Sequence, residues 1–205
     1  MKIVTLYPDS FGSNTYLLIS NGRAFVVDPS VNADAIIASA ANEGAKLDGI
    51  LLTHGHFDHI YEIDTLRDSL GIKLMMHKDD AEMLTDGKKN ASFAFFRREH
   101  TYAPADILFE GGEEISLQSE TIKVIHTPGH TKGSVCYLCN NTIITGDTLF
   151  ADGIGRTDLY GGSISELMSS LEVLSAFDKS LKIYAGHGDS ELLGNALDNS
   201  AYYRY

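Results

Sequence analysis

Residues 53–59 read Thr-His-Gly-His-Phe-Asp-His, and this run follows directly on the apolar residues Ile50, Leu51 and Leu52. An apolar stretch of this kind reads as a buried strand, so any fold must deliver His54, His56, Asp58 and His59 at that strand's exit, where sites are commonly built. On a helix, His54 and His56 would diverge by about 200°, whereas an extended backbone points both imidazoles the same way. Gly55 and the following turn could then swing Asp58 and His59 toward a neighbouring point. A helix N-cap accounts for Asp58 alone, since a helix is expected to start near Ile60. It does not account for three of the chain's eight histidines set beside a carboxylate. Imidazole and carboxylate are standard ligands for zinc, iron and manganese, and the run reads as part of a metal site.

Further donors follow other apolar runs: His130 in Thr127-Pro-Gly-His-Thr-Lys-Gly133, Asp147 in Thr145-Gly-Asp-Thr148, and His187 in Ala185-Gly-His-Gly188. Singly, each could be a satisfied loop residue. Together they repeat one design, in which a glycine permits a tight turn or close approach and a ligand-type side chain then leaves the strand end.

Between these points the chain alternates strand and helix patterns. Strands are predicted at Ile3 to Tyr7, Thr15 to Ser20, Ala24 to Val27 and Ile50 to Thr53, with Asn21-Gly22 as a hairpin turn between the second and third. Ala35, Ile36, Ala40 and Ala41 place a helix within Asn32 to Lys46, and further helices are expected over Tyr61 to Leu70 and Asp79 to Thr85, around a strand Lys73 to His77. A meander follows: Ile107 to Phe109, Glu114 to Leu117, Thr121 to His126, Val135 to Leu138 and Thr142 to Thr145. Helices return at Ile164 to Phe177 and Glu191 to Ala201, flanking a short strand Lys182 to Ala185. The segment Gly87 to Pro104 has no clear period, holds Phe93, Phe95 and Phe96, and is longer than the usual connection of about 4–6 residues, so it reads as a lid, a contact surface or an ordered loop. This set of elements is α/β, and two mixed sheets packed face to face with helices outside would bury it.

A length of 205 residues suits one domain spanning residues 1–205. The net charge of −12, with no Lys/Arg-rich run, argues against nucleic acid as a partner. Met1 to Phe11 lacks the apolar core of a signal peptide, and no segment approaches the roughly 20 apolar residues of a membrane span, so no membrane partner and a cytoplasmic address are expected. Cys136 and Cys139, the only two cysteines, should face opposite sides of a strand and read as packing residues.

The order His54-x-His56-x-Asp58-His59, His130, Asp147, His187 resembles the metallo-β-lactamase superfamily, from about Asn14 to Gly188. That resemblance implies an αββα sandwich of two mixed β-sheets flanked by helices, with two divalent metal ions at its rim, zinc first and iron or manganese as alternatives. One ion would be held by His54, His56 and His130 and the other by Asp58, His59 and His187, with Asp147 bridging. Asp28, in Val26-Val27-Asp28-Pro29, matches an early aspartate that supports the metal loop from behind. Thr127 to Ser134 and Gly146 to Phe150 look most like the glyoxalase II branch, the hydroxyacylglutathione hydrolases, here in a short form without that branch's helical carboxyl-terminal region. The implied activity is thioester hydrolysis of a small-molecule substrate by a metal-bridging hydroxide, with Asp58 holding the nucleophile or shuttling its proton. Arg156 matches a basic glutathione contact, although it could equally pair with Asp152 or Asp158. Where the branch carries tyrosines near that arginine and after the last histidine, this chain has Asp158 and Asp189. Alternatives within the superfamily are a mononuclear-iron persulfide dioxygenase and lactone or β-lactam hydrolysis, and outside catalysis a metal-binding protein.

Overall fold

The structure, a computed structural model, describes residues 1–8 and 12–200. In the first sheet, β1 (Lys2–Leu6), β2 (Thr15–Ser20) and β3 (Arg23–Val27) run antiparallel. β4 (Lys46–Leu51), β5 (Lys73–His77) and β6 (Ile107–Phe109) then add in parallel, each beside its predecessor. The switch follows from the connections. Asn21 and Gly22 both take positive φ, 45° and 74°, the backbone of a two-residue turn whose twist matches antiparallel strands. From β3 to β4 the chain instead crosses over through α1 (Ala33–Asn42), and from β4 to β5 through α2 (Ile63–Leu70). The Asn32 side chain caps α1 by accepting from the Asp34 N–H at 3.0 Å.

The segment 87–104 contains α3 (Ser92–Phe96). The second sheet comprises β7 (Glu114–Leu117), β8 (Glu120–His126), β9 (Val135–Cys139) and β10 (Thr142–Gly146) as a meander. After α4 (Ile164–Ser175), β11 (Lys182–Ala185) pairs parallel to β10, and β12 (Glu191–Leu192) closes the edge before α5 (Leu193–Asn199).

Side-chain alternation builds three apolar layers. Leu17 and Ile19 of β2 join Ile36, Ile50 and Leu66 under α1 and α2. Tyr16 and Leu18, one residue out of phase, meet Val124, Tyr137 and Ile144 between the sheets. Ile143, Leu171, Leu174 and Ile183 fill the layer beneath α4 and α5. Every residue of β2 is buried because both of its faces are covered. These layers are the αββα sandwich with mixed sheets. Cys136 packs under the outer helices and Cys139 between the sheets, on opposite faces of β9 as their offset requires.

Several elements differ from the sequence expectation. Ile107–Phe109, expected to open the meander, instead pairs parallel to β5 at the edge of the first sheet, and β4 spans Lys46–Leu51 where Ile50 to Thr53 was expected. Residues 78–85 form a 3₁₀ helix that buries Asp80, Met83 and Leu84. The expected helix from Glu191 begins instead as strand, since Glu191 and Leu192 pair with Ile183 and Lys182 before Leu193 starts to coil. Its expected last residue, Ala201, lies outside the described residues. No helix of the described chain is long and apolar enough to cross a membrane.

Candidate metal centre

Strand ends converge on one rim of the sandwich. The run 53–59 leaves β4, His130 lies between β8 and β9, Asp147 follows β10, and His187 follows β11. Asp28, just past β3 and 1% exposed, folds the first loop back on itself. Its Oδ1 accepts from the Thr53 N–H at 2.7 Å, while Oδ2 accepts from the Thr53 hydroxyl at 2.6 Å and from His59 Nδ1 at 2.9 Å. One carboxylate thereby holds both ends of the loop.

The same bonds orient the ring nitrogens. His59 gives its Nδ1 proton to Asp28, His130 gives its Nδ1 proton to the Arg156 carbonyl at 2.7 Å, and His54 Nδ1 faces the Thr53 hydroxyl at 3.1 Å. In each case Nε2 is left facing the rim, where it can ligate a cation once deprotonated. His130 Nε2 lies 3.2 Å from His54 Nε2 and 2.9 Å from His56 Nδ1. Tetrahedral ligands about 2.0–2.1 Å from a zinc ion are separated by about 3.3–3.4 Å, so this triad has close to the spacing of three ligands on one cation.

A second group faces it. His187 Nε2 lies 3.2 Å from Asp58 Oδ2, and His59 Nε2 lies 3.9 Å from that same oxygen. Asp147 stands between the groups, with Oδ1 at 3.4 Å from His59 Nε2 and Oδ2 at 3.6 Å from both His130 Nε2 and His187 Nε2. The structure therefore brings together all seven residues singled out in the sequence. His59 Nε2 and Asp147 Oδ1 are buried with no hydrogen-bond partner, as is His56 Nε2. Buried polar atoms are rarely left unpaired, and a cation between the groups would satisfy the first two. The donor set fits divalent metal, with His54, His56 and His130 able to hold one ion, Asp58, His59 and His187 another, and Asp147 touching both.

Electrostatics divide the two groups in the metal-free protein. Burial, followed by the neighbouring imidazoles, pushes His54 well below its usual pKa, and burial with the His130 ring takes His56 down to about 3. Burial also acts to lower His59, but Asp147, Asp58 and Asp28 outweigh it and raise His59 well above its usual value. His187 is raised too, burial being outweighed by Asp58 and Asp147. In return, burial is overcome at Asp58 and Asp147, which the surrounding histidines hold below the ordinary carboxylate range.

Sequence reasoning missed Asp80. This carboxylate is 1% exposed and accepts from the Gly55 N–H at 3.0 Å, the Thr131 hydroxyl at 2.7 Å and the Gly133 N–H at 2.7 Å. It clamps the loop carrying His54 and His56 to the loop carrying His130. Nothing in Lys78-Asp79-Asp80 distinguishes it from an ordinary helix-start aspartate. Asn14 was likewise unmarked; its side chain donates to the carbonyls of Ala185 and Gly188 at 3.1 and 2.9 Å and fixes the loop of His187. A further grouping of His77, Asp79 and His126 occurs elsewhere in the described residues. Its two rings stack at 4.0 Å and 13°, so their in-plane lone pairs run side by side and do not converge.

Above the rim opens a cavity of about 860 Å³, walled by Phe57, Phe95, Phe150, Ile154 and Leu159. The segment 87–104 contributes Ala91 and Phe95 to the lining and is tied to the metal loop: the Phe57 N–H bonds to the Asn90 carbonyl at 3.0 Å, and Phe95 and Phe96 pack on the Phe57 ring at 5.0 and 5.1 Å. Arg156 also lines the cavity, but its guanidinium is engaged by Asp158, Nε to Oδ1 at 2.7 Å and Nη2 to Oδ2 at 2.8 Å.

Comparison with known proteins agrees with this geometry. The model of the metallo-beta-lactamase superfamily matches residues 8–187. The probable metallo-hydrolase YqgX of Bacillus subtilis (strain 168) is 36% identical over 179 residues, which cover 86% of this chain and 85% of the relative. Among solved structures, the BLEG-1 B3 metallo-beta-lactamase is similar with a TM-score of 0.92 and 31% identity over 100% of both chains. TTHA1623, solved in a di-iron-bound form, is similar with a TM-score of 0.83 and 28% identity, over 98% of this chain and 100% of that one. Family and fold agree from residue 8 to residue 187, and the chain belongs to the metallo-beta-lactamase superfamily.

Proposed function

We propose that the protein is a metal-dependent hydrolase acting on thioesters. The observation that carries this reading is the pair of donor groups sharing Asp147, with unpartnered buried His59 Nε2 and Asp147 Oδ1, at the floor of an apolar cavity. Two divalent ions in such a site supply water that ionises near neutral pH and a Lewis acid for a carbonyl oxygen. The protein's own groups do the rest. Asp58 lines the cavity, remains ionised, and lies 3.2 Å from His187 Nε2, so it can orient the attacking water and accept its proton. The aromatic wall of Phe57 and Phe95 seats the substrate and limits bulk water at the carbonyl. No serine or cysteine is needed as nucleophile, and burial pushes the Cys136 thiol up to about 11, which makes it a poor one.

Zinc is the proposed metal, and iron is its competitor because a relative 28% identical has been solved with two irons. Metal analysis of the purified protein, coupled to turnover of S-lactoylglutathione, a neutral thioester and a cephalosporin, tests the reading. Two metal equivalents with thioester cleavage support it. Cephalosporin turnover alone would move the substrate to β-lactams, as the likeness to a B3 metallo-beta-lactamase allows. Oxygen uptake on glutathione persulfide with one iron would replace hydrolysis by oxidation. His56→Ala is expected to lose one metal and the activity together.

A further inference from the structure

We propose that Asp158 is a specificity-determining residue that withdraws Arg156 from substrate recognition, so that the site selects thioesters with uncharged, apolar groups over those carrying carboxylates. This rests on the thioesterase reading and names its substrate class.

Arg156 is the only lysine or arginine among the described residues lining the cavity, and apart from the metal-facing histidines it is the side chain there suited to a substrate carboxylate. The side-on edge of its guanidinium, Nε with Nη2, is taken. Asp158 binds it through two parallel charge-assisted bonds of 2.7 and 2.8 Å, the geometry a substrate carboxylate would otherwise use. Arg156 in turn holds the Asp158 carboxyl down to about 2, so the pair stays ionised wherever the site works. An incoming carboxylate must either displace Asp158 from that edge or take the Nη1–Nη2 edge of a guanidinium already neutralised by it, and in both cases it sits beside the Asp158 charge. The rest of the wall offers aromatic and aliphatic surface from Phe57, Phe95, Phe150, Ile154 and Leu159.

The backbone of Arg156 has a separate task. Its carbonyl fixes the His130 ring at 2.7 Å, and a bridge between Leu149 and Ile154 braces the loop. The peptide is thus committed to the metal rim while the side chain is free to be tuned by its neighbour two residues on. Both side chains are exposed, Arg156 by 52% and Asp158 by 67%, so solvent moderates the effect and a change of about three- to tenfold is expected, not orders of magnitude.

Binding and turnover of the metal-loaded protein test this together. Isothermal titration would compare S-benzylglutathione, an anionic thioether, with the benzyl thioether of N-acetylcysteamine, which is neutral. In wild type the neutral ligand should bind more tightly. Asp158→Asn should improve the anionic-to-neutral affinity ratio about three- to tenfold, and 1 M salt should erase the gain. The same shift should appear in KM, not kcat, for S-lactoylglutathione. A ratio that is unchanged would overturn the proposal. A ratio that falls would also overturn it, by showing that Asp158 positions Arg156 to receive the anion. Absence of turnover on every thioester would defeat the thioesterase reading separately, since the affinity ratio is measured without catalysis.

Discussion

Replacing Asp80 by asparagine perturbs the junction between the two loops that carry His54, His56 and His130. The carboxylate has three donors to satisfy, the Gly55 and Gly133 N–H groups and the Thr131 hydroxyl. An amide has one acceptor oxygen. Turned toward Gly55 and Thr131 it keeps two bonds, but its NH₂ then faces the Gly133 N–H. A buried donor left unsatisfied costs about 1–3 kcal/mol. Part of that is offset because burial, the largest influence on Asp80, raises its pKa and so disfavours the native carboxylate. A net loss of about 1–2 kcal/mol in the urea unfolding of the metal-free protein is expected. The effect on metal should be selective. His54, His56 and His130 are held by the clamped loops, whereas Asp58, His59 and His187 depend on Asp28 and Asn14. Loss of such supporting bonds typically lowers metal affinity about 10–100-fold, so a chelator competition should show one zinc weakened by that factor and the other little changed. Equal weakening of both ions, or wild-type stability and affinity, would refute the role assigned to Asp80.

Three further outcomes are expected. Because the folded pKa of His59 is raised, the metal-free protein holds a proton there at pH 7; zinc loading should release it, measurably by calorimetry in buffers of differing ionisation enthalpy, and His59→Ala should lose that release. The same shift stabilises the metal-free fold fully below pH about 6.5, the unfolded value, and that contribution disappears as pH rises through the folded value; a pH-independent melting temperature across this range would contradict it. Gly186→Ala should cost both metals with little change in far-UV circular dichroism, since a Cβ there would overlap Asp147 Oδ1 and sit 2.7 Å from His59 Cε1; full metal content by elemental analysis would refute the packing argument.

Much of this molecule is written in local pattern. The strand Thr15–Ser20, the turn at Asn21-Gly22 and the crossover helix after β3 follow from side-chain period and turn chemistry, each of which acts within a few residues. The donors are legible for the same reason, as glycine-flanked ligand residues at strand exits. Tertiary structure alone decided what those donors lean on. Asp80 binds Gly133 across 53 residues, and His130 takes its ring orientation from a backbone carbonyl 26 residues on. A backbone carbonyl carries no residue identity, so the contact of Arg156 with His130 leaves no mark in the sequence. The pairing of Arg156 with Asp158 was one of two partners the sequence allowed, and the loop's conformation selected it. The grouping of donors is thus legible because a ligand needs a particular side chain. The supporting bonds and the character of the cavity depend on which distant segments the folded sheets bring side by side.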